Sequence, residues 1–397
     1  MSDQGYVAVH SVARFSLFGA RGPQLSQLDM ELTERCNNAC QHCYINLPAN
    51  DAEAAQRELT TAQWCDVLRQ AAELGALEVR FTGGEPLLRP DFIDLYLAAR
   101  RLGLKVVLFT NARLITPELA DLLVRVPPLK KLEVSVYGMH AATYDAVACV
   151  RGAYVEFRRG VDLLLARGIP FVVKSVLLPD NRADAAEFEA WAATLPGMEG
   201  ANPSYAGPLD LRTRRDSPAR NRVIKRLRSS PAEGLAMLNR DEQSYCRSSA
   251  EFALGFMRPQ GDLLFTCSAG ETGCVDAYGG YQMCMMLRHP DTVYDLRSGG
   301  LREGLTEFFP RVRQLRATNP DYLRRCARCF LKGLCEQCPA KSWAEHGTLD
   351  TPVEYCCQMA HAQAVYLGLL VENERAWEVT DWQARVQRLA DRALQRS

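Results

Sequence analysis

The sequence predicts an α/β protein: an open, partial (β/α)6 barrel followed by a cysteine-rich carboxyl-terminal domain. Two observations carry this. A unit of β-rich run, turn and amphipathic helix recurs through the first half of the chain, and a second, dense framework of cysteines follows after residue 245. Alternation of the first kind means parallel strands joined by helical crossovers. Six such units fall short of a closed, eightfold TIM-like barrel.

The expected strands are Leu28 to Thr33, Leu77 to Thr82, Lys105 to Thr110, Leu132 to Tyr137, Phe171 to Leu177 and a weaker run near Asn202 to Tyr205. The helices between them are well punctuated. Thr60 and Gln63 make a capping-box pair before Trp64, Val67, Leu68, Ala71 and Leu74, and Gly75 suits the position just past the helix end. Thr116-Pro117-Glu118 starts another with a capping hydroxyl and a proline at the first helical position. A third, around Phe157 to Ala166, stops at Gly168.

In parallel barrels the reactive groups gather at the carboxyl ends of the strands, and the polar and glycine-rich residues of this chain fall there. The first strand ends in Glu34-Arg35-Cys36-Asn37-Asn38-Ala39-Cys40-Gln41-His42-Cys43-Tyr44, a CxxxCxxC loop. The second ends in Gly83-Gly84-Glu85-Pro86, the third in Thr110-Asn111, the fourth in Ser135 and Tyr137-Gly138, and the fifth contains Lys174. Three thiolates on one loop can hold three irons of a four-iron cluster and leave the fourth corner open. Zinc is the rival, but it wants four protein ligands or three plus water, usually from paired elements, and only His42 lies close in sequence. The paired glycines allow close approach of a ligand to backbone, Glu85 adds a carboxylate and Pro86 stops the strand, an edge that can grip an ammonium group. The bland reading of the glycine pair is an ordinary tight turn.

CxxxCxxC after the first strand with GGEP after the second resembles the radical S-adenosylmethionine (radical SAM) superfamily. By that resemblance Cys36, Cys40 and Cys43 ligate a [4Fe-4S] cluster whose open iron takes the amino and carboxylate groups of SAM. Gly83, Gly84 and Glu85 would hold the SAM ammonium, Asn111 and Ser135 would stand near its ribose or carboxylate, Tyr44 near its adenine, and Lys174 would join this cofactor-binding mouth. The implied chemistry is reductive cleavage of SAM to a 5′-deoxyadenosyl radical that abstracts a substrate hydrogen.

The second framework is Cys267 and Cys284 around Gly279 (Cx11Gx4C), then Cys326, Cys329, Cys335 and Cys338 as CxxCx5CxxC, then Cys356-Cys357. It is similar to the SPASM extension of radical SAM enzymes, although the spacing before Cys338 is one residue shorter than the usual CxxCx5CxxxC. The resemblance implies two auxiliary four-iron clusters. One would use Cys267, Cys284 and Cys338, with Cys246 or Cys274 as fourth ligand. The other would use Cys326, Cys329, Cys335 and Cys356, with Cys357 as the alternative. A zinc ribbon over Cys326 to Cys338 is the rival, with fewer residues between its CxxC pairs than zinc modules use.

At 397 residues and 47% hydrophobic, the chain can bury a large core and divide into domains. The expected organisation is an extension over 1–24, the barrel over 25–210, a bridging helix over 211–245, the auxiliary-cluster domain over 246–360 and a carboxyl-terminal helix with a charged tail over 361–397. Fifteen cysteines without a secretory signal point to a reducing, cytoplasmic setting and metal thiolates rather than disulfides. Cys65 and Cys149, outside every motif, are expected as buried small hydrophobes. Zero net charge gives no field for nucleic acid, and no segment has the length of a membrane span. A basic run from Arg212 to Arg228, with Asp216 its only acid, reads as a solvated linker helix or as a surface for an acidic peptide.

The resemblance as a whole implies a peptide maturase, with a peptide or small-protein substrate, an external electron donor and oxidative modification by crosslinking, dehydrogenation or decarboxylation. The 27 residues before the first strand are too few for a fused leader-binding winged helix, so any leader recognition is expected of a separate protein or of another surface. The alternatives are a formylglycine-generating sulfatase maturase, a small-molecule radical dehydrogenase and a non-enzymatic scaffold with structural metals.

Overall fold

A computed structural model of the chain describes residues 25–198, 204–206, 217–239, 241–255, 257, 261–267 and 272–395. The chain forms two compact units, Met1–Ala206 with Ser268–Pro310, and Gly207–Cys267 with Arg311–Ser397. Residues 272–310, inside the stretch expected as the cysteine-rich domain, thus fold with the barrel.

In the first unit the six expected strands form as β1 (Gln27–Thr33), β2 (Glu78–Gly83), β3 (Lys105–Thr110), β4 (Leu132–Val136), β5 (Phe171–Val176) and β6 (Ser204–Ala206). Each pairs in parallel with the next. Three further strands extend the sheet on the other side of β1. β7 (Thr272–Val275) is parallel to β1, whereas β8 (Gly280–Gln282) and β9 (Tyr294–Asp295) continue antiparallel, giving the order β9-β8-β7-β1-β2-β3-β4-β5-β6.

The crossover helices are α1 (Thr61–Glu73), α2 (Phe92–Arg101), α3 (Pro117–Arg125), α4 (Ala141–Ala148), α5 (Ala153–Ala166) and α6 (Ala185–Ala193). The capping box of Thr60 and Gln63 opens α1, and Thr116 caps α3 through the Leu119 amide with Pro117 in the first turn. Helix α5 begins at Ala153, ahead of the expected start, because Asp145 accepts the amides of Gly152 and Tyr154 and so anchors its first turn. One strand face is apolar and buried: Leu28, Met30 and Leu32, Val79 and Phe81, Val106 and Leu108, Leu132 and Val134, Phe171 and Val173. Phe81 meets Phe92 of α2 edge to face, which identifies this as the helix-packed face.

The opposite face is polar. Arg80 reaches Asp29 at 3.7 Å, Lys174 pairs with Glu133, and both cations stand over the Phe109 ring, at 6.0 and 5.4 Å from its centroid. Closed barrels fill this position with layers of branched aliphatic side chains.

The second unit contains α7 (Pro218–Leu227), α8 (Glu242–Leu254), α9 (Pro339–His346), α10 (Glu354–Tyr366) and α11 (Trp382–Gln395). Of the basic run, 212–216 lies outside the described residues. Its remainder forms α7, with Lys225 and Arg228 both paired to the buried Glu345 of α9, so this part is tethered rather than a solvated linker. The charged tail contributes to a core. Trp382, Val386, Leu389 and Ala393 recur at helical spacing and are buried in one cluster with Ala250, Phe330 and Leu367, where Phe330 stacks on Trp382 at 5.7 Å. Among the described residues no helix is long and apolar enough to cross a membrane.

Trp382→Ala should therefore lower the stability of the full chain by roughly 3–5 kcal/mol, read by urea unfolding followed by circular dichroism. A midpoint equal to the parent's would mean that α11 is not part of the core.

Candidate functional site

The cysteine loop is held at both ends by backbone. A short parallel ladder pairs Arg35 with Leu47 and Cys36 with Pro48, and the Leu47 amide donates to the Glu34 carbonyl at 2.8 Å. Inside the loop the Cys43 amide donates to the Cys40 carbonyl at 3.1 Å, and the Asn38 amide to the Cys36 sulfur at 3.3 Å. The Ala39 amide docks on the Ala148 carbonyl at the end of α4. Arg113, which the motifs did not reveal, donates to the Asn37 carbonyl and, at 2.6 Å, to Asn38 Oδ1, and is itself held by Glu156 at 2.7 Å. Asn111 donates through Nδ2 to Asn37 Oδ1 at 2.7 Å and lies 3.8 Å from the Cys36 sulfur. Asn111 therefore shapes the loop directly.

The glycine turn grips the same loop from below. The Gly84 amide donates to the Thr33 carbonyl at 2.7 Å and the Glu85 amide to the Arg35 carbonyl at 2.9 Å. A Cβ on Gly83 would stand 2.2 Å from the Thr33 oxygen, and one on Gly84 would stand 2.2 Å from the Arg35 oxygen; Gly83 also has φ of +125°. The glycines are thus required by the root of the cysteine loop, a different reason from the ligand access expected of them. Glu85 departs from expectation more sharply. Its side chain is 0% exposed and accepts from the Thr110 hydroxyl at 2.8 Å and the Asn111 and Leu87 amides at 2.8 and 3.2 Å. It ties the ends of β2 and β3 together and does not present its carboxylate at the mouth.

Ser135 and Lys174 are cross-strand partners on β4 and β5, so both stand on the polar face. Tyr44 is half-buried within electrostatic reach of Arg288. Two further buried charge networks hold the loop root. Glu58 accepts from Arg35 at 2.8 Å, Arg89 at 3.3 Å and Thr33, while Arg89 also caps the Leu32 and Leu59 carbonyls. Arg288, beyond β8, pairs with the fully buried Glu31 and reaches Glu34 at 3.4 Å, while the Tyr278 hydroxyl donates to Glu34 at 3.0 Å.

Burial pushes the Cys36 thiol up to about 12, with the nearby Glu85 adding to it, and drives Cys40 well above the ordinary thiol range. Cys40 is coupled to both Cys43 and Cys36, so the three thiols form one electrostatic group. Such thiols bind a proton or a cationic centre, and a thiophilic metal group is the partner that releases the proton.

In the second unit Cys326, Cys329, Cys335 and Cys357 line one cavity. The Cys356 thiol, instead, is buried within reach of Lys341, Glu345, Arg228 and Cys338. Adjacent helical residues point about 100° apart, so α10 can turn only one of the pair into the cavity, and Cys357 takes the place expected for Cys356. Cys338 and the exposed Cys267 belong to this unit, whereas Cys284 and the fully buried Cys274 belong to the first. Cys246 is half-buried on α8 against the core of the second unit. Cys65 is half-buried and Cys149 exposed, against expectation; Cys149 ends α4 with φ of +52°, a position with no core beside it.

Among the described residues no three His, Cys, Asp or Glu side chains converge tightly enough to chelate a single ion. One zinc needs its ligand atoms about 2.3 Å from a common point. A four-iron cluster takes one thiolate per iron, so its cysteines stand farther apart.

Burial pushes Glu85 from its ordinary 4.5 up to about 7. The folded chain then keeps a proton that the unfolded chain releases over that interval, so the associated stability is present below 4.5 and lost as pH rises through 7. Thermal unfolding of the metal-free chain should show a falling midpoint across this window, and Glu85→Gln should flatten that fall. An equally steep fall in the variant would mean that Glu85 is not its source.

Comparison with known proteins agrees with the geometry. Residues 30–192 match the model of the Radical SAM superfamily. The chain is 35% identical over 214 residues to a PqqA peptide cyclase of Gluconobacter oxydans (strain 621H), covering 53% of this chain and 58% of that one. It is 38% identical over 184 residues to a PqqA peptide cyclase of Streptomyces rochei, covering 45% and 48%. The chain thus spans about half the length of the curated relatives it matches. Among solved structures, Streptococcus suis SuiB bound to its precursor peptide SuiA superposes with a TM-score of 0.54 at 16% identity, over 84% of this chain and 76% of that one. Native anSMEcpe with bound AdoMet and the Cp18Cys peptide gives 0.58 at 15% identity, over 93% and 100%. At those identities the likeness is one of fold. With the family match, the thiol loop and the glycine turn in agreement, residues 30–192 of this chain are a radical SAM domain.

Proposed function

We propose that this protein is a radical SAM enzyme that oxidatively modifies a peptide or small protein. The observation that carries the reading is the three-thiol loop of Cys36, Cys40 and Cys43, seated by backbone on Gly83 and Gly84 at the carboxyl ends of β1 and β2. When bound, a [4Fe-4S] cluster with SAM on its open iron supplies one electron to SAM and releases a carbon-centred radical that can abstract hydrogen. The loop thiolates would hold that cluster, and Arg113 and Asn111 would keep the loop in shape for it. The Gly83-Gly84 backbone would take the SAM ammonium, Tyr44, Asn111 and Ser135 would line the rest of the cofactor, and Lys174 would stand on the wall below. Glu85 would act at one remove, by fixing the turn.

The second unit would hold one auxiliary cluster at Cys326, Cys329, Cys335 and Cys357. Cys267, Cys284 and Cys338, with Cys246 or Cys274, are proposed for another. The peptide class rests on the relatives' name, PqqA peptide cyclase, and on the peptides held in two structures of similar fold. An external electron donor completes the reading.

Anaerobically reconstituted chain should bind about twelve irons, from three four-iron clusters. Cys36, Cys40 and Cys43 replaced together by Ala should retain about two thirds of them and lose all SAM cleavage. Stoichiometric zinc in place of iron would sink the assignment. With SAM, reductant and a peptide encoded beside the gene, the product should be about two mass units lighter per event. Oxidation of a small alcohol with every such peptide unchanged would replace the maturase reading with a dehydrogenase.

A further inference from the structure

The sulfur of Cys357 has an unusual neighbourhood for a half-buried thiol. Arg325 Nη2 stands 3.5 Å from it, and the same guanidinium is gripped by both oxygens of Glu354, at 2.5 and 3.0 Å, and by Asp321 at 3.1 Å. Its carbon lies 4.9 Å from the centre of the Trp377 ring. A guanidinium fixed in plane by a forked carboxylate and stacked on an indole has little freedom, so Nη2 stays aimed at the sulfur. His361 approaches from the next turn of α10. Its Nδ1 is 2.8 Å from the Cys357 carbonyl and 3.6 Å from the Cys357 sulfur, while Nε2 accepts from the Ala376 amide at 3.3 Å. That acceptor role leaves the proton on Nδ1, so His361 too is a donor toward Cys357.

We infer that Arg325, assisted by His361, sets the reduction potential of an iron–sulfur cluster held by Cys326, Cys329, Cys335 and Cys357. The inference rests on the cluster reading of those four thiols. Hydrogen bonds to ligating sulfur and nearby charge are among the means by which a protein tunes such a cluster. A cationic donor stabilises the reduced state, which carries one more negative charge, more than the oxidised state. The direction is therefore upward, so this cluster is easier to reduce than it would be without Arg325. In an oxidative reaction that shift would make it a better recipient of an electron leaving a substrate radical.

The test uses the full chain with Cys36, Cys40 and Cys43 replaced by Ala, reconstituted anaerobically so that only auxiliary clusters contribute, with iron analysis and a redox titration followed by electron paramagnetic resonance. Arg325→Gln should keep its iron and move one reduction step to a more negative potential, with Arg325→Lys falling between it and the parent. Arg324→Gln is the control, because it removes the same charge one residue away from a side chain that is 73% exposed and bonded to Asp321 rather than to sulfur. Full iron with no shift in Arg325→Gln overturns the inference, and so does an equal shift in Arg324→Gln. If Arg325→Gln binds less iron, Arg325→Lys decides: an intermediate potential supports the inference, whereas an unmoved potential or a second loss of iron makes Arg325 merely structural. A parent that holds no iron at these cysteines defeats the cluster reading instead, which is a distinct result.

Discussion

The architecture of the site depends on one close approach of backbone to backbone. The turn after β2 lies against the root of the cysteine loop so tightly that side chains at positions 83 and 84 would collide with the Thr33 and Arg35 carbonyls. Two amide donors cross that contact. It joins the end of one parallel strand to the loop leaving its neighbour, so the loop cannot shift without the turn. Glu85 carries the same constraint onward to β3 through Thr110 and Asn111, and Asn111 returns it to the loop through Asn37. Three consecutive strand ends are thereby fixed as one body. Side-chain hydrogen bonds alone would give a weaker linkage, since each can be lost by a rotamer change, whereas a backbone packed on backbone has no such freedom.

Cys36 and Cys357 sit in different electrostatic surroundings. Burial disfavours the thiolate at both. At Cys36 the nearest strong influence after burial is the Glu85 carboxyl, which adds to that resistance; at Cys357 it is the Arg325 guanidinium, which opposes it.

Much of the fold was legible because parallel strands packed by helices leave a strong alternation, and β1 to β5 formed within a residue or so of their expected bounds. The β7 to β9 extension was missed. Its strands are two to four residues long, too short for periodicity, although Gly279-Gly280 between apolar runs is a hairpin signal that could have been used. The motif residues were visible as residue types at fixed spacing, but their orientation was not. Glu85 reads as an exposed carboxylate from its sequence neighbours, and only the tertiary fold supplies the three donors that turn it inward. Arg35, Glu58, Arg89, Arg113 and Arg288 were silent for a related reason: each acts on a segment distant in sequence, and an isolated charge in a chain with 24% charged residues has no local signature. The choice between Cys356 and Cys357 is of the same kind, since helix rotation decides it.

The polar face of the sheet constrains what the barrel can accept. Asp29 with Arg80 and Lys174 with Glu133 place opposite charges side by side around Phe109, so the wall is close to neutral although it is rich in ions. Burial raises the Asp29 carboxyl above its ordinary range, and Arg80 opposes that rise, so removing the cation would leave an acid inclined to take a proton. A charged group entering this space must replace one member of a pair and leave the other without its partner, which costs more the less solvent remains. A neutral segment with alternating donors and acceptors can bond both members of a pair and displace neither. Under the peptide reading proposed above, the backbone of an extended chain would have that character.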